Sequence, residues 1–73
     1  MGNITKEQYE LNLEITYQFI KEYIKKYGYA PVYREIADNT GRSLDTIFNH
    51  LRILKERNKI DFIDGKARTI RIK

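Results

Sequence analysis

In the run RSLDTIFNHLRIL (42–54), Asp45, Asn49 and Arg52 stand at i, i+4 and i+7. That spacing places an acceptor, an amide and a cation on one side of a helix. Short groups of these kinds suit base edges and phosphates. A carboxylate accepts from a cytosine amino group, an Asn amide pairs with adenine, and a guanidinium meets the backbone. Ile47, Leu51 and Leu54 repeat the same spacing on the opposite side, as a stripe that seeks a core. One helix thus has a side to seat and a side to read with.

The elements around this run decide whether it is held in a usable place. Ser43 is a good N-cap for a helix over 44–57 that stops at Asn58. A short helix at 33–39, with Ile36 and Ala37 inward, precedes it and ends at Thr40-Gly41, where glycine is free to take a positive φ. Two helices joined through a glycine turn make a helix-turn-helix over 28–58. Ahead of it, Thr5 and Gln8 form a capping box that opens a long first helix closed by Gly28, within a unit spanning 1–27. Tyr9, Leu13, Tyr17, Ile20, Ile24 and Tyr27 give that helix one apolar stripe, and Leu11, Ile15, Phe19 and Tyr23 give it a second. Either both stripes are buried within the fold, or part of the surplus forms a homodimer contact. The 28–32 segment turns and extends, since Pro31 biases Ala30 away from helix.

Beyond the third helix, 60–63 and 69–72 read as short strands joined by an Asp-Gly turn, a β-hairpin within 59–73. Ile70 and Ile72 should face the core, with Thr69, Arg71 and Lys73 outward. The expected fold is mainly α with a small hairpin: a single winged helix-turn-helix domain of three helices and a two-stranded wing. The wing tip carries Lys66 and Arg68 on a flexible loop, where they can reach a phosphate or a narrow minor groove.

Composition excludes several alternatives. At 73 residues there is room for one small core and no deep substrate cavity, so no small-molecule substrate is expected. With no cysteine and one histidine, neither a disulfide nor a metal or other cofactor is expected. No apolar run is long enough to span a membrane, no export signal is visible, and a cytoplasmic location is expected. The Met1-Gly2 opening lacks a myristoylation motif, since Lys6 stands where Ser or Thr is wanted. Charge is divided: four Lys balance four Glu in 1–27, while 28–73 hold ten Lys or Arg against six Asp or Glu, the whole of the net +4. That asymmetry fits a polyanion partner, although small basic proteins without one exist.

From residue 20 to 73 the chain resembles the N-terminal DNA-binding domain of LexA-type repressors. The likeness rests on the G-Y-x-P turn at 28–31, REIA at 34–37, RSLDTIFNHLRIL at 42–54 and the wing IDFIDGKARTIRI at 60–72. It implies base contacts from Ser43, Asp45, Thr46, Phe48 and Asn49 within the run that Arg42 opens, with Arg52 near the backbone and Lys66 and Arg68 acting from the wing. Two departures stand out. Val32 replaces the family's usual Ser or Thr cap, so the capping box ahead of Glu35 is lost at a cost on the order of 1 kcal/mol. Phe48 and Leu44 are apolar, and Phe48 stands where the family tends to have a polar or acidic reader. Phe48 either meets a thymine methyl or packs beneath the wing. The family's C-terminal self-cleaving and dimerising domain has no counterpart in these residues, so no catalytic Ser–Lys pair carries over.

Weaker signals each have two readings. His50 is a base or ligand, or a helix-surface residue near the DNA backbone. Tyr33 and Arg34 donate to a phosphate at a helix N-terminus, or are ordinary surface. Glu7, Glu10, Glu14 and Glu22 are acid–base groups or a solvated face, and the absence of a pocket favours the latter. The six tyrosines stack on single-stranded bases, or serve core and interface. The function expected is sequence-specific binding of double-stranded DNA by a bacterial or phage-type transcriptional repressor without enzymatic activity, paired through the first helix or the wing. The rival is a winged helix that binds protein, a reading Leu44 and Phe48 favour.

Overall fold

A computed structural model describes residues 5–73. The Met1-Gly2 opening, and with it the reading on myristoylation, lies outside the described residues. The chain forms α1 (Lys6–Tyr27), α2 (Tyr33–Thr40), α3 (Leu44–Glu56), β1 (Ile60–Asp61) and β2 (Arg71–Ile72).

Helix α1 begins where Thr5 Oγ1 accepts from the Gln8 N–H at 3.1 Å and Gln8 Oε1 accepts from the Thr5 N–H at 3.2 Å, which satisfies two donors the helix cannot satisfy itself. It ends at Gly28, whose φ of 81° is left-handed. Leu13, Thr16 and Ile20 are its buried residues, with Tyr9, Tyr17 and Ile24 half-buried beside them. One expectation is corrected here: Tyr27 is exposed rather than part of the buried stripe. Of the second stripe, for which the sequence leaves burial and a partner contact both open, Leu11 is 60% and Ile15 41% exposed. Helices α2 and α3 are the elements that pack on α1, and among the described residues Leu11 and Ile15 stay outside that contact.

The core is formed where the three helices and the hairpin converge: Leu13, Ile20, Ala30, Ile36, Ala37, Ile47, Leu51, Leu54, Ile60 and Ile70. Burying each larger aliphatic side chain contributes about 1.5–3 kcal/mol. At the rim, Arg57 donates twice to the Glu10 carboxylate, at 2.7 and 2.8 Å, and joins the end of α3 to α1.

The strands are shorter than the pattern predicts. They pair antiparallel only at Ile60 with Ile72 and Asp61 with Arg71. Side chains take over from the ladder beyond that point: Asp61 Oδ1 accepts from the Phe62 N–H at 2.9 Å, and Thr69 Oγ1 accepts from the Ile63 N–H at 3.0 Å. Ile70 is buried and Arg71 and Lys73 are exposed, as the alternation requires.

Candidate nucleic-acid interface

The interface begins with how α2 stops. Gly41, at φ 70°, donates to Ala37 O, and the Arg42 N–H reaches the same oxygen at 3.0 Å. The chain then extends through Ser43, whose hydroxyl oxygen accepts from the Thr46 N–H at 3.2 Å and starts α3. Val32 has no side chain able to cap α2, yet Glu35 Oε1 still accepts from the Val32 N–H at 2.8 Å. The capping box expected to be lost is therefore only half lost. That bond is the main reason the Glu35 carboxyl is held below its ordinary range, with Tyr23 and Arg68 adding to it.

On α3 the two sides separate as the spacing predicts. Ile47, Leu51 and Leu54 are 0–3% exposed, while Asp45, Asn49 and Arg52 face solvent. Arg52 Nη2 donates to Asn49 Oδ1 at 2.9 Å, which leaves the Asn49 amide N–H groups turned to solvent. Ser43 is exposed and donates through its hydroxyl to Thr46 Oγ1 at 3.0 Å. Phe48 is 47% exposed, with its ring edge-on to Tyr33 at 5.2 Å. It is therefore partly presented and partly supported. Tyr33 also meets Phe62 of the wing at 6.4 Å, and burial pushes its phenol pKa up. Tyr33, Phe48, Arg52, Lys55, Phe62 and Asp64 line a cleft of about 350 Å³ where α2, α3 and the wing meet. Arg34 is exposed on the first turn of α2. Leu44 packs against the core instead of lying free on the reading side.

Two arginines are placed differently from a free reading cation. Arg42 turns to α1 and donates to Asn12 Oδ1 at 2.7 Å. Arg68, expected on a flexible loop, is tied down at a left-handed φ of 59°. Its Nη1 donates to Ala30 O at 3.0 Å, Tyr23 Oη at 3.3 Å and Glu35 Oε1 at 3.4 Å, and its guanidinium lies 4.9 Å from the Tyr29 ring centroid. Lys66 remains at the wing tip, exposed, with no ion-pair partner for its ammonium among the described residues.

His50 corrects a further expectation. It is not on the helix surface but 2% exposed, with Nδ1 2.8 Å from Oγ1 of the fully buried Thr16. Burial, then the Arg42 charge, lower its pKa. By spacing His50 stands three residues after Ile47 and four before Leu54, on the buried side of α3, so only its polar character suggests the surface. Its partner Thr16 lies 34 residues away, beyond any local pattern. Lys55 is a residue that the sequence reading does not single out. Its ammonium donates to Phe62 O at 3.0 Å and lies 4.4 Å from the Phe62 ring centroid. The signal available was its position one turn beyond Arg52.

A glycine-stopped helix, a second helix exposed along one side and a hairpin beside it define a winged helix-turn-helix domain. The chain belongs to the LexA DNA binding domain family, which matches residues 1–69. It is 46% identical over 48 residues to the LexA repressor of Syntrophobacter fumaroxidans, covering 64% of this chain and 23% of that protein. It is 34% identical over 73 residues to the LexA repressor of Desulfatibacillum aliphaticivorans, 99% of this chain and 34% of that protein. The figures for the LexA repressor of Caldicellulosiruptor saccharolyticus are 39% over 70 residues, 94% and 32%. The chain thus spans about a third or less of the length of these relatives.

Proposed function

We propose that these residues form the duplex-DNA-reading part of a cytoplasmic transcriptional repressor, a non-catalytic role, and that α3 enters the major groove N-terminus first. The observation that carries this is the division of α3: Asp45, Asn49 and Arg52 face solvent while Ile47, Leu51 and Leu54 on the other side are almost fully buried. Asp45 accepts from a cytosine amino group and Asn49 pairs with adenine once Arg52 releases its oxygen to a phosphate. Ser43, Thr46 and the start of α2 at Tyr33 and Arg34 sit against the backbone. Phe48 meets a thymine methyl. Lys66 takes a neighbouring phosphate, while Arg68 and Arg42 hold the wing and the head of α3 in place. Two protomers occupy paired half-sites.

Fluorescence anisotropy with duplexes selected from a random pool tests the reading. With about four to six phosphates neutralised per protomer, log affinity falls against log salt with a slope of roughly −3.6 to −5.4. Selection of one preferred duplex is expected. Affinity that ignores salt, or no preference among duplexes, would overturn the proposal. The protein-binding alternative loses one of its two supports with Leu44 packed on the core.

A further inference from the structure

Helix α1 is longer than its contacts with α2 and α3 require, and its outer face is patterned. Leu11, Ile15 and Phe19 follow every four residues, the first two 60% and 41% exposed and the third half-buried. Beside them Glu7, Glu14, Lys21 and Lys25 follow at steps of seven, seven and four, which keeps all four on one strip of the helix. All four are exposed, and among the described residues none forms an ion pair within the protomer. The strip is acidic in its first half and basic in its second.

We infer that this face pairs with the same face of a second copy, the two α1 helices running antiparallel about a two-fold axis near residue 16. A symmetric contact must be complementary to itself. A parallel pair would lay this strip against the opposite flank of the second copy, away from that copy's own Glu and Lys residues, whereas the antiparallel pair lays the strip against itself in reverse and sets Glu7 and Glu14 against Lys25 and Lys21. With the axis near residue 16, Glu7 lies level with Lys25 of the second copy. Glu14 falls about 4.5 Å along the axis from Lys21 of that copy, at about 1.5 Å per residue, an offset a lysine side chain spans. In the same register Ile15 packs beside Ile15 and Leu11 beside Phe19 of the second copy. The core side of α1, formed by Leu13, Thr16 and Ile20, is not used, so the packing of α1 within each protomer is undisturbed. A single helix pair falls at the small end of specific interfaces, so association is weak and concentration-dependent.

This inference rests on the proposed pairing of protomers, and its test needs no DNA. Sedimentation equilibrium of the 73-residue chain is expected to show a mass rising with concentration from one protomer towards two. The charge variants E7K/E14K and K21E/K25E are each expected to remain at one protomer, and their equimolar mixture to recover the dimer. Leu11→Ser, which leaves every charge in place, is expected to weaken self-association. Far-UV circular dichroism checks that each variant is folded. Anisotropy on a duplex carrying a single half-site reports DNA reading separately. A wild-type chain that stays at one protomer, folded charge variants that still pair, or a mixture that does not recover the dimer overturns the inference.

Discussion

Replacing Thr16 with Val removes one hydroxyl from the interior while keeping the side chain's shape. Thr16 Oγ1 and His50 Nδ1 are 2.8 Å apart and both residues are almost completely buried, so the contact joins α1 to α3 beside Asn49, the proposed adenine reader. In Thr16→Val the imidazole nitrogen is left buried and unsatisfied, which costs about 1–3 kcal/mol. A chain of this size loses about 4–8 °C in Tm for each kcal/mol, so a fall of at least ~4 °C is expected in a thermal melt. The same contact fixes a pH dependence. Burial and the neighbouring Arg42 charge lower the His50 pKa from its ordinary value of 6.5. The unfolded chain therefore takes up a proton before the folded chain does. The stability is fully present above pH 6.5 and is lost as pH falls through the lowered folded value. If the folded imidazole stayed neutral throughout, the loss between pH 7.5 and 5.5 would reach at most about 1.4 kcal/mol, one proton titrating over that interval. Glu10, Glu35 and Asp61 are held below their ordinary values by Arg57, by the Val32 N–H and by the Phe62 N–H in turn, so their contributions fade only at lower pH. Melts of wild type and His50→Gln across this window separate the effect, with the variant expected to be flat. A wild-type Tm that does not fall between pH 7.5 and 5.5, or a Thr16→Val chain as stable as wild type, would refute the reasoning.

The two wing cations should fail in different ways. Lys66→Ala removes the proposed phosphate contact and is expected to reduce the salt slope by roughly 1. Arg68→Ala is expected to weaken binding to all duplexes while leaving the slope near its wild-type value, because its guanidinium is engaged by Ala30, Tyr23 and Glu35; anisotropy across a salt series distinguishes the pair. Deoxyuridine placed for each thymidine in turn should weaken binding at one position, and Phe48→Ala should abolish that sensitivity without changing the response elsewhere. Gly41→Ala must hold a left-handed φ of 70° with a Cβ that meets no neighbouring atom, so strain alone acts, and urea denaturation should show a loss of roughly 1–2 kcal/mol.

Elements built from local signals were legible in the sequence. The Thr5–Gln8 capping box, the Ser43 cap, the Gly28 and Gly41 stops and the two-sided α3 each depend on residues within a few positions of one another, and the structure forms all of them. Contacts between distant residues were not legible. Arg68 and Ala30 are 38 positions apart and His50 and Thr16 are 34, so no periodicity distinguishes a solvent-facing Arg68 from one folded back on the loop after α1. The strands were overextended for a related reason. β-branched and aromatic residues at 62–63 and 69–70 favour strand, but Asp61 and Thr69 give the backbone nearer partners than the opposite strand does.

The shortness of that ladder leaves the wing's position to be explained, because an isolated two-stranded hairpin is marginal in water and this one pairs only two residues from each strand. The burial of Ile60 and Ile70 holds its base. Two cations brace the remainder: Lys55 reaches from α3 to the Phe62 carbonyl, and Arg68 reaches from the wing to Ala30 and Glu35. Tyr33 fills the space between with ring contacts to both Phe48 and Phe62. The wing is thereby tied to α3 and to the start of α2, the two elements that bear the proposed base and phosphate contacts. Lys66, on the tip held by these contacts, keeps a fixed offset from Asp45 and Asn49. In the proposed complex a phosphate met by Lys66 would then lie at a set distance from the bases read by Asp45 and Asn49, so the wing would contribute to register on the duplex as well as to affinity.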